Sequence, residues 1–139
     1  MILKETLHPA LAMVALTFVV WCRLYWVRLG EMHRRRIAPQ AVACSRDAAS
    51  RLEDTRASDN FRNLFELPVL FHVVLVLLAM TGLATPFAMT LAWSFVALRV
   101  LHSAIHCTYN RVVHRFAAYI AGALVLWALW AYLALGLMR

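Results

Sequence analysis

From Phe116 to Met138 the chain carries no charged residue. A helix that crosses a bilayer needs about 20 largely apolar residues, so this one run already restricts the fold. Three further stretches approach the same length, and together they predict spans at about 9–29, 60–82, 86–108 and 111–138. Pro86 suits the first turn of the third. The first retains Arg23 and Arg28 near its end, where long basic side chains snorkel and Tyr25 and Trp26 suit the interface. The whole chain is 63% hydrophobic, against about half for a soluble domain. The expectation is therefore an all-α, transmembrane four-helix bundle, one integral domain over 1–139. The apolar run near the start has no small-residue cleavage site after it and reads as a retained helix.

The formal charge of +7 acquires meaning from where the arginines lie. Arg34, Arg35, Arg36, Arg46, Arg51 and Arg56 fall in the segment 30–59, and Arg111 and Arg115 at the third-to-fourth corner. Lys4 and Arg139 are alone on the other side. By the positive-inside rule the polar corners face the cytosol and both termini do not. In a bacterial cell that membrane is the plasma (inner) membrane. Topology accounts for the basic residues, and no aromatic platform is interleaved with them, so nucleic acid is not an expected partner. Pro39 opens a run of good helix formers, which predicts a helical extension inside the first loop. Cys22, Cys44 and Cys107 are three and far apart, with neither a zinc spacing nor a disulfide framework.

Ionisable residues inside spans are expensive and face a bundle interior or cavity. Here they form stripes. Arg62, Asn63 and Glu66 lie within little more than one turn. Arg99, His102 and His106 stand at i, i+3 and i+7, and Arg111, Arg115 and Tyr119 at i, i+4 and i+8. All three stripes lie toward the same end. Together they suit a small anionic ligand that also carries an amino group, with guanidiniums for carboxylates and Glu66 for the ammonium. Plainer roles stand beside this one. Glu66 and Arg99 form a candidate neutralising pair, Asn63 a candidate interhelical hydrogen bond, and Arg111 and Arg115 candidate topology charges. His102 and His106 have the spacing of metal or haem ligands, without a third ligand nearby; no metal is expected. His72 reads as a core or interface histidine and His114 as a boundary one.

Arg62-Asn63-Leu64-Phe65-Glu66 with Pro68, Ala97-Leu98-Arg99-Val100-Leu101-His102, and Asn110-Arg111-Val112-Val113-His114-Arg115 with Tyr119 resemble the second-, third- and fourth-helix signatures of the MAPEG family, the membrane-associated proteins in eicosanoid and glutathione metabolism. The order and spacing agree from roughly Arg56 to the end. The resemblance implies a homotrimer with glutathione as co-substrate between protomers, and a transferase or peroxidase acting on lipophilic small molecules. It implies that Arg62, Asn63, Glu66 and His102 contact or position glutathione, that Arg115 is catalytic beside the sulfur, and that Tyr119 lines the same pocket. A guanidinium near a thiol favours the nucleophilic thiolate. The chain departs from the family pattern at Asp59, where some members have a basic residue, at His106, where tyrosine is frequent, and at Phe116, where a small hydroxyl residue occurs. Because one branch of the family binds lipid without catalysis, an accessory or structural membrane subunit is the alternative function.

Overall fold

A computed structural model describes residues 2–138, with side chains described from Glu5 to Met138. The side chain of Lys4 and the whole of Arg139 lie outside the described residues. The helices are α1 (Ile2–Arg35), α2 (Ser45–Arg51), α3 (Arg56–Asn63), α4 (Leu67–Thr81), α5 (Pro86–Cys107) and α6 (Val112–Leu137), with a short 3-10 turn at Pro39–Val42. No strand occurs among the described residues. Four helical stretches are long and apolar enough to cross a membrane: Glu5–Arg35, Arg56–Thr81, Pro86–Cys107 and Val112–Leu137.

Two boundaries differ from the expectation. The first helix begins before Pro9 and continues past Leu29 to Arg35, carrying its polar last turns beyond the apolar stretch. The second span is two helices, α3 and α4, with a turn between them. Pro68 has no N–H, so the Leu64 carbonyl receives no bond from the fourth residue on. The chain tightens instead: the Phe65 N–H donates to the Arg62 carbonyl at 2.9 Å and the Val69 N–H to the Glu66 carbonyl at 3.1 Å. Glu66 itself leaves helical geometry, at φ −98 and ψ −106. The expected helical extension of the first loop is present as the 3-10 turn and α2.

The interior is packed where apolar residues of α4, α5 and α6 meet. Phe71 stacks on Phe95 with ring centroids 4.5 Å apart. Leu75, Leu78, Leu126, Leu129 and, from α1, Met13 close around them. Ala88 and Ala92 on α5 are fully buried, and Gly122 on α6 leaves only ordinary contact room beside Leu98 and Arg99. Small residues let two backbones approach in a medium where lipid competes for every apolar contact. The outward faces are apolar too, including Phe18, Val19, Val76, Met80, Leu124 and Trp127. The chain is thus built for hydrocarbon outside and places its polar groups within.

The α4–α5 turn is short. Gly82 takes φ +72, the left-handed conformation that ends helices. Thr85 caps α5 by accepting from the Ala88 N–H, and its hydroxyl meets that of Tyr132 at 2.8 Å. The opposite end of the bundle carries the long first loop and the α5–α6 corner, and the remaining polar chemistry is there.

Candidate functional site

The inner stripe of α5 is buried throughout: Arg99 is 0% exposed, His102 and His106 2% each. A buried guanidinium must find partners or it destabilises the bundle. Arg99 finds some. Its Nη2 donates to the Asn63 carbonyl at 2.6 Å, and its carbon lies 5.4 Å from the Tyr119 ring and 5.9 Å from that of Phe95. Its Nε and Nη1 have no hydrogen-bond partner. The candidate pair with Glu66 is not among the ion pairs of the described residues. Glu66 sits exposed at the α3–α4 break, near enough to Arg99 for a favourable electrostatic interaction without a direct ion pair.

His102 and His106 meet edge to face, 5.6 Å between centroids. The Nδ1–H of His102 donates to the Arg115 carbonyl at 3.1 Å. The guanidinium of Arg115 donates to His106 Nε2 at 3.0 Å and to Asn110 Oδ1 at 2.7 Å. Arginine only donates, so His106 must present its lone pair at Nε2, which puts its proton on Nδ1. His102 Nε2 and His106 Nδ1 are both buried without a partner. Tyr119 leans over His102 at 5.8 Å. Arg99, His102, His106, Arg115 and Tyr119 therefore come together in one cluster between α5 and α6. It contains an unused acceptor and several unused donors.

The other expected residues stand around this cluster. Asn63 contributes its backbone carbonyl. Arg111 is the exposed residue that precedes α6, in extended geometry, so it leaves the stripe of Arg115 and Tyr119. Arg62 is exposed and faces another cavity of about 250 Å³ between α1, α2 and α3, together with Arg28, Asp54 and Asp59. Asp59 accepts from the Thr55 hydroxyl at 2.9 Å. The expected ligand residues thus divide between a buried α5–α6 cluster and an exposed α3 group.

Several polar residues at this end take contacts that the sequence did not indicate. Asn60, fully buried, accepts from the Ser103 hydroxyl at 3.3 Å and donates to Cys107 Sγ at 3.4 Å. Arg23 turns inward to donate to the Cys107 carbonyl, and Arg56 donates to that of Thr108. Two guanidiniums from α1 and α3 thereby satisfy the carbonyls that end α5. Glu31 is buried and accepts from Arg35 at 2.7 Å and from the Glu53 and Asp54 N–H groups at 2.8 and 3.4 Å, clasping the first loop to α1. Outside the spans, the Arg56 guanidinium hydrogen-bonded to Asp54 holds that carboxyl below its ordinary range. The i, i+4 pair Ser103 and Cys107, following His102 and His106, was the available signal for the Asn60 network.

The family model for MAPEG matches residues 6–135. That is nearly the whole chain, α1 included, so the chain belongs to the MAPEG family and is an integral membrane protein. No curated protein and no solved structure matches it.

Proposed function

We propose that the protein is a glutathione-dependent transferase or peroxidase acting on lipophilic electrophiles, assembled as a homotrimer. The observation that carries this reading is the α5–α6 cluster: two guanidiniums, Arg99 and Arg115, in one network of side chains with unused donors beside Tyr119. Its positive character suits a tripeptide with two carboxylates and an ionising thiol. Arg115 is the last charged residue before the apolar body of α6, where a polar co-substrate and a lipophilic one meet. Its guanidinium remains charged at any working pH and stabilises a thiolate without itself titrating. His106 and Asn110 hold Arg115 from behind, which fixes its position, and His102 steadies the first turns of α6 through the Arg115 carbonyl. Arg62 and Asn63 from α3, Glu66 from the α3–α4 break and Arg111 before α6 are the remaining candidate contacts around this cluster.

The test is a calorimetric titration of the detergent-solubilised protein with glutathione, read together with the ultraviolet absorbance of thiolate and with native mass spectrometry. Saturable binding, a thiolate band and a trimer are expected. Absence of binding and of turnover gives the lipid-binding accessory reading instead, and a monomer across mild detergents removes the assembly.

A further inference from the structure

Four basic residues end α1, and they have different fates. Arg35 is consumed within the protein, pairing with Glu31 and Glu53 and donating to the Arg51 carbonyl. His33, Arg34 and Arg36 are exposed, and their side chains make no hydrogen bond or ion pair among the described residues. Arg36 is the more informative. Its N–H donates to the His33 carbonyl at 3.3 Å, and the Ile37 N–H to that of Met32 at 2.9 Å. This pair of bonds closes a helix on a left-handed residue, normally glycine. Here that residue is arginine, at φ +53, where a Cβ is strained.

The same turn shapes an open groove of about 700 Å³ lined by Leu29, Met32, His33, Arg36, Ile37 and Pro39. Four of these are apolar and two are basic. Earlier on α1, Trp26 is 85% exposed and Tyr25 43%, the aromatic pair that marks a membrane boundary. The groove thus lies just beyond the apolar span, with apolar walls and the unpaired Arg36 guanidinium together. A charge serving topology alone works at any nearby position, and one serving the helix dipole needs no groove. Neither role requires a guanidinium in the one strained position of the turn.

We propose that the end of α1 is a binding site for an anionic phospholipid. Arg36 and Arg34, with His33, take the phosphodiester through charge-assisted hydrogen bonds. Leu29, Met32 and Ile37 receive the glycerol and the upper acyl chains. Clusters of basic residues flanking a span attract anionic lipid in this manner, and the site is independent of the glutathione reading.

Native mass spectrometry of the protein released from nanodiscs of equimolar phosphatidylglycerol and phosphatidylcholine tests it. The parent is expected to retain phosphatidylglycerol preferentially. The Arg34→Gln, Arg36→Gly double variant is expected to lose that preference by about tenfold or more. Glycine suits φ +53, so the Arg36→Gly change does not threaten folding, and circular dichroism with the Tm of the lipid-free variant reports on the rest of the molecule. In detergent, added phosphatidylglycerol raises the Tm of the parent and inorganic phosphate alone does not. Equal retention of the two lipids by the parent overturns the proposal. So does unchanged retention by the folded variant, and so does an equal Tm shift from inorganic phosphate, which marks a simple anion site.

Discussion

The two ends of the bundle are closed by different chemistry. At the α4–α5 turn, one glycine, one threonine cap and the Thr85–Tyr132 contact suffice, and the helices below are joined by Phe71, Phe95 and a layer of leucines. At the other end, arginines from α1 and α3 reach across to α5, and buried histidines and Arg99 keep polar atoms without partners. The first end is closed by local contacts and leaves the Trp130 indole N–H without a partner. The second holds desolvated polar groups beyond the bonds made within the protein, at a cost that the apolar half offsets. The apolar packing and the proposed site thereby lie toward different ends of the bundle.

That separation is open to direct attack. The largest effect is expected from truncating the apolar half: Phe95→Ala should cost about 3–5 kcal/mol of unfolding free energy, measured by denaturant titration in micelles. Arg99→Met, one turn away but in the polar half, keeps the volume and removes the buried charge. It should leave stability equal or higher while weakening glutathione binding. A large loss of stability with Arg99→Met would show that the polar half holds the fold as well. Next in size is Arg115→Ala, expected to lower turnover by roughly 10²–10³ with much of the glutathione affinity retained. Steady-state kinetics beside the calorimetric Kd separate the two effects, and turnover equal to the parent reduces Arg115 to a topology charge.

The two ends also differ in how far they were legible. Hydropathy alone marks four spans, and Gly82 and Pro86 mark the turn between the second and third, because those signals are local. Arg99, His102 and His106 were legible as one stripe because helical spacing is local too, and all three are buried as their spacing implies. Glu31, Arg23 and Arg56 were not. Each lies among other charges near a span end, where sequence reads it as a surface or topology residue. What buries or turns it inward is a neighbour distant in sequence: Glu53 and Asp54 for Glu31, and the end of α5 for the two arginines. The α3–α4 break was signalled by Pro68, but a proline is compatible with a bent continuous helix as well.

The smallest expected effect sharpens the loop side of the comparison. Asp54 is held ionised by Arg56, with contacts of 2.7 and 2.8 Å. Its folded pKa is depressed, so the contribution is present above its ordinary 3.8 and is lost as pH falls through the lower folded value. The pair is partly solvated, which screens it and keeps the effect small. Hydrogen exchange at the Arg56 amide, which donates to Asp54 at 3.2 Å, should lose protection in that acid window while the α5–α6 interior does not. Protection unchanged across the window would assign the loop's order to Glu31 alone.

The two guanidiniums that end α5 also bear on biosynthesis. Arg23 and Arg56 precede Cys107 and Thr108 in the chain, so a ribosome delivers both donors before either acceptor exists. Until the last turn of the third span arrives, Arg23 has only water and lipid headgroups to bond, and Arg56 has those and Asp54. The corner is therefore a late event in membrane insertion, and it locks α1 and α3 after they have entered the bilayer. Substitution of either arginine should consequently be felt in the yield of inserted protein before it is felt in the stability of what has been inserted.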